Sequence, residues 1–223
     1  MDMLMDAKTY LQQARQAVKD GDDGQALAHF EYFFDHALAE NQAWRGVRLS
    51  YCLMEWFDLG QRYAPARERF MARQADILSA FEQSQEPELF NEYRAMHRLS
   101  QQGETPLAIF INLDQHQPQL ALQCSEFLWL DLLADHQWQL AYRYMGSAKK
   151  RYDMFWYKWD MALTHISQQA LSKEKMKASK VAHFSYVHTE LKLFLMLLEQ
   201  MSDPNFSTFQ ADLEAKCLQY QLA

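Results

Sequence analysis

Eight histidines, three cysteines and 29 carboxylate side chains are the groups of this chain best suited to chemistry, and their spacing argues against most of it. His29 and His36 lie seven residues apart, two turns along one helix face, while His183 and His188 are five apart and point in different directions on a helix. There is no H-E-x-x-H and no pair of E-x-x-H motifs such as a di-iron bundle needs, so no metal site is predicted. Asp35–His36 and Asp135–His136 are adjacent pairs whose side chains diverge on a helix, which makes them poor acid–base partners. Cys52, Cys124 and Cys217 are odd in number and scattered, matching neither a disulfide framework nor a zinc pattern; they read as packing residues in a reducing compartment. No G-x-S-x-G, phosphate-binding loop or dinucleotide fingerprint occurs, and six glycines leave little material for one. The chain is expected to be non-catalytic and to use no cofactor.

Binding chemistry is better represented. The formal net charge of −7 disfavours nucleic acid as a general partner. The charge is uneven, however: residues 143–180 carry +6 and the remainder −13. Within that basic segment Tyr152–Trp159, YDMFWYKW, follows Lys149, Lys150 and Arg151. On a helix Tyr152, Phe155, Trp156 and Trp159 form one stripe, with Met154 and Tyr157 elsewhere. Such a stripe reads first as core and second as a protein interface. Interleaved bases and aromatics can also stack on single-stranded nucleic acid, so a regulatory protein that uses segment 143–180 on an anionic partner, RNA included, is the alternative reading.

These side chains must be positioned by helices. Leu and Ala number 29 and 26, against 13 β-branched residues, and Gly and Pro together number only 11. Pro65, Pro87, Pro106, Pro118 and Pro204 each sit where a helix can begin, with Thr105 and Asp203 as N-caps. Gly21, Gly60 and Gly103 read as C-terminal stops. The implied helices are 7–19, 23–39, 42–59, 64–82, 87–101, 105–114, 119–134, 137–146, 147–171, 179–201 and 205–221. Short connections make neighbours antiparallel. At least nine helices and no strand longer than three residues are predicted. The first residues lack a basic run followed by an apolar one, and Leu191–Leu198 is too short to cross a bilayer. A cytoplasmic protein without a membrane partner is expected.

Helix pairs of similar length prompt a search for a repeat. In residues 7–40, Tyr10 and Ala14 precede a turn at Gly21, and Ala26, Phe30 and Phe33 follow on the second helix. Weaker units begin near Val47 (Tyr51, Gly60, Ala66, Phe70), Leu89 (Tyr93, Gly103, Ala108) and Leu122 (Leu128, Trp138, Ala141). The stretch resembles the tetratricopeptide repeat, with Phe33 standing where that family prefers a small residue. Trp44–Phe70 is also similar to segments of bacterial repeat-like proteins, a likeness that implies no activity. The resemblance implies an all-α fold in which antiparallel helix pairs stack as a right-handed superhelix. Residues 1–142 would form the repeats, and 143–223 a helical extension packed on them.

It further implies a peptide-binding concave face lined by the first helix of each pair. Lys8, Leu11, Arg15 and Lys19 share a face of helix 7–19, and Arg48, Tyr51 and Glu55, then Tyr93 and His97, would join them. Lys and Arg would attract a carboxylate, and Tyr supplies a stiff contact surface. Family members that grip a C-terminal carboxylate also use Asn residues, which are missing here. The expected partner is a protein or peptide of acidic character, with self-association also within reach of such a surface.

Overall fold

The structure is a computed structural model and describes residues 6–219. Every regular element among them is helical, as the scarcity of β-branched residues requires. The helices are α1 (Ala7–Asp20), α2 (Asp23–Glu40), α3 (42–59), α4 (Ala64–Ser84), α5 (Pro87–Ser100), α6 (Pro106–His116), α7 (Pro118–Ala134), α8 (Trp138–Tyr144), α9 (Ala148–Gln168), α10 (Lys173–Gln200) and α11 (Phe206–Gln219). Local chemistry accounts for many of the ends. Side-chain oxygens of Asp6, Asp22, Thr105, Ser147 and Ser172 each accept a backbone N–H of the first turn that follows. Gly21 ends α1 in the left-handed conformation, φ 78°.

Gly60 ends α3 as predicted, but without the left-handed conformation. Its φ is an ordinary −62°, and a Cβ there would lie 3.1 Å from the backbone of Arg67. Glycine is needed at that turn for room rather than for handedness. Helix α10 begins six residues before its predicted start, because Ser172 caps the polar run Lys173–Lys180 through the N–H of Lys175. That run has no apolar period to announce it.

The chain falls into two compact units, Met1–Cys124 and Ser125–Ala223, whose boundary lies inside α7. In the first unit α1 packs along α2 and α4 along α5. Ala7 N–H donates to Glu40 at the far end of the first pair, and Phe81 meets Phe90 beside the turn of the other, which fixes both as antiparallel. Ala26 and Ala66 are fully buried, as the repeat alignment predicts, with Phe30, Phe33 and Phe70 buried beside them. Arg69 and Arg73 of α4 pair with Glu31 and Asp35 of α2, and Arg62 just before α4 pairs with Asp23. These pairs select the register of the two helices more than they stabilise it, since exposed pairs are worth about 1 kcal/mol or less.

In the second unit α9 and α10 form the main pair. Tyr152, Phe155, Trp156 and Trp159 are all buried; Trp159 meets Phe184 and Phe155 meets Phe194, with Val187 and Leu191 of α10 buried as well. Helix α11 closes over α9: Tyr152 stacks on Phe209 at 4.2 Å, and its hydroxyl donates to Asp212 at 2.6 Å.

One device recurs along the chain. Trp56 Nε1 donates to the carbonyl of Ala66, the Tyr93 hydroxyl to that of Glu104, and Trp129 Nε1 to that of Ala141. In each case an aromatic donor reaches across a helix–helix turn to a backbone acceptor near or just before the start of the next helix. The three donors lie roughly 36 residues apart, which is repeat-like spacing.

Candidate functional site

The first unit holds a depression of about 440 Å³ between α1 and α3. Lys8, Leu11, Gln12 and Arg15 form its α1 wall, at the three- and four-residue steps that place them on one helix face. Trp44, Val47 and Tyr51 form the α3 wall by the same spacing. The floor is apolar and the charged lining is wholly cationic. A second depression of about 340 Å³ shares Arg15 and adds Lys19, Phe30, Glu55, Leu59 and Arg62. The Arg15 guanidinium, 2.8 Å from Glu55, stands between the two. That pair, with Glu55 accepting from both Nε and Nη2, restricts the arginine's rotamers while leaving it partly exposed. Lys8 and Lys19 form no ion pair among the described residues.

Tyr51 lies in an irregular stretch of α3. Arg48–Cys52 is a π turn, one residue wider than an α turn. Ser50 Oγ donates to the carbonyl of Gly46 at 2.6 Å, and so competes for the acceptor that a regular helix would offer to its backbone N–H. Gly46 itself is a weak helix former. Across this turn Arg48 and Cys52 face inward, whereas Tyr51 stands 57% exposed.

Four of the seven predicted binding residues therefore line these depressions: Lys8, Arg15 and Tyr51 the first, and Arg15 and Lys19 the second. The other three do not. Arg48 is buried, with its Nε donating to the carbonyl of Phe34 and its two terminal nitrogens to Glu92 at 2.6 and 2.9 Å. Its guanidinium also lies 3.8 Å from the centre of the Phe34 ring. Tyr93 is 1% exposed and spends its hydroxyl on Glu104. His97 is buried on the same helix, and burial holds its imidazole pKa below the ordinary value. These three belong to the helix-packing interfaces: Arg48 of α3 bridges α2 and α5, and Tyr93 and His97 lie on a covered face of α5. Gln12, Trp44 and Val47 were not among the predicted residues. The 44, 47, 51 stripe was legible in the spacing, but Trp44 sits in a short 3-10 turn that no apolar period marks.

The basic aromatic segment is also settled in part. The four residues of its stripe are core, so they are not available for stacking on bases. Lys149 pairs with Asp153, and Arg151 with Glu126 while its guanidinium lies 4.6 Å from the centre of the Trp129 ring.

The cysteines are thiols rather than disulfides; burial pushes Cys124 up to about 12 and Cys52 higher still, so neither is a nucleophile at neutral pH. No group of three or more potential metal ligands gathers among the described residues. No described helix is long and apolar enough to cross a membrane. The fold and site together define an all-helical protein of antiparallel helix pairs with a basic, aromatic-walled groove. In comparisons with protein-family models, curated proteins and solved structures, nothing matches this chain.

Proposed function

We propose that this chain is a non-catalytic peptide- or protein-binding scaffold of tetratricopeptide-like construction. Its α1–α3 groove receives an acidic segment that also carries an apolar side chain. The observation that carries the reading is the lining of the first depression: Lys8 and Arg15 on one wall, Trp44, Val47 and Tyr51 on the other, and no carboxylate among its lining residues. A partner carboxylate would meet Lys8 and the oriented Arg15, while an adjacent apolar side chain would fill the space over Leu11 and Val47. The recurrent aromatic-to-carbonyl bond at about 36-residue spacing supports stacked, repeat-like pairs. The alternative, an anionic partner held by segment 143–180, loses its stacking residues to the core.

Selection from a random peptide library, followed by titration of the enriched peptides, tests this. Enriched sequences should place Asp, Glu or a free C-terminus beside an apolar residue, and their affinity should fall at high salt. Lys8→Glu combined with Tyr51→Ser should weaken them about tenfold or more without lowering the melting temperature, since both side chains are exposed. Enriched peptides that bind the double variant as well as the wild type would remove the groove from consideration.

A further inference from the structure

The second depression continues the first along α1 and α3, and its lining is of a different kind. Val18, Phe30 and Leu59 form an apolar floor, with Val18 half-buried and the other two buried. The charges at its rim cancel. Arg15 pairs with Glu55 and Arg62 with Asp23, while Lys19 and Asp58, which form no ion pair among the described residues, are of opposite sign. The first hollow is therefore cationic and the second neutral, and Arg15 stands between them. Its Nε and Nη2 are held by Glu55, but Nη1 makes no hydrogen bond with a described residue, and the side chain is 43% exposed. One edge of the guanidinium thus remains open to a further carboxylate.

The midpoints of the two hollows lie about six residues apart on α1 and about ten on α3, which at the helical rise is roughly 9 and 15 Å. An extended chain covers such a span in about four residues, and its alternate side chains point the same way. Resting on the groove reading above, we propose that the acidic segment binds extended across both hollows. It carries a second apolar side chain about four residues from the first, with the acidic residue midway between them. The first apolar side chain fills the space over Leu11 and Val47, the carboxylate meets the open edge of Arg15, and the second apolar side chain covers Val18 and Leu59. Lys8 borders the first hollow at its other end and adds to the attraction. The Arg15–Glu55 bridge crosses the groove from α1 to α3, so the bound backbone lies over it and drops a side chain on either side. Hollows of about 440 and 340 Å³ take in side chains rather than a helix about 10–12 Å across. A helical ligand would need its apolar residues about seven apart to reach both, so the spacing tells the two modes apart.

Isothermal titration of the full chain with synthetic peptides is the test. The probe is a capped nonapeptide with glutamate at its centre, a leucine two residues to either side, and Ser or Gly elsewhere. Removing either leucine, or moving one of them by a single residue so that it faces away, should weaken binding about tenfold or more. Val18→Gln, a neutral and helix-compatible change, should remove most of the advantage of the two-leucine peptide while leaving the one-leucine peptides unaffected. A second leucine that adds nothing overturns the extended mode, as does one that adds as much when placed seven residues from the first. Absence of measurable binding by the two-leucine peptide overturns it too. The groove reading survives these results if acidic one-leucine peptides lose affinity in Lys8→Glu combined with Tyr51→Ser, and falls with the extended mode if they bind that variant unchanged.

Discussion

Arg48 shows how differently one residue reads in sequence and in place. As a cation three residues before Tyr51, it looks like a ligand for an acidic partner. In the fold it is an internal cross-link that ties the carbonyl of Phe34 on α2 to Glu92 on α5. Reversing its charge would set a second carboxylate beside Glu92 in a site with little access to water. Arg48→Glu is therefore expected to destabilise the chain by roughly 3–5 kcal/mol, measured by urea unfolding, because an unpaired buried charge is left behind. Replacing the pair together, Arg48→Met with Glu92→Leu, is expected to cost much less. Equal losses for the two would show that the pair is not the source of the effect.

At the scale of elements, close approach decides what the helices tolerate. Ala26 is fully buried where α2 crosses its neighbours, with Phe30 and Phe33 following on the same helix. Ala26→Leu adds volume with no space to receive it, and is expected to destabilise by roughly 1–3 kcal/mol in the same assay. An unchanged unfolding midpoint would mean that the crossing is looser than its burial implies. Gly60 obeys the same logic on the backbone, since Arg67 leaves little room for a side chain there.

At the scale of the whole molecule, stability should depend on pH through the histidines. Burial lowers the imidazole pKa of His97, His29 and His188 below 6.5, with Lys192 adding to the effect at His188. Below that value the unfolded chain takes up protons that the folded chain refuses. Stability should thus be full above about pH 7 and decline as pH falls toward 5. Asp203 and Asp212 titrate in a separate window. Burial raises them, but hydrogen bonds outweigh it, from Asn205 and Tyr142 to the first and from Tyr152 and Lys216 to the second. Their contribution is present above 3.8 and is lost only as pH falls below it. His97→Leu is expected to flatten the melting-temperature profile between pH 7 and 5 while leaving the more acidic limb in place. A profile identical to the wild type would place the histidine response elsewhere.

Helix identity was legible in the amino-acid sequence because it depends on neighbours a few residues away. Prolines at helix starts, capping side chains and three- and four-residue apolar steps located all eleven helices, and the small residues Ala26 and Ala66 marked crossings that the fold buries. Lys8, Arg15 and Lys19 could be assigned to one face for the same reason. Which faces remain open is a different kind of question, since burial depends on helices distant in the chain. Periodicity alone could not distinguish exposed Tyr51 from buried Tyr93, because each lies on a polar-looking helix with aromatic spacing. The first stands exposed beside the α1–α3 depression, and a carbonyl 11 residues away captured the second. The Tyr152–Trp159 stripe became core for the same reason: α10 and α11, which bury it, lie beyond the reach of any local pattern.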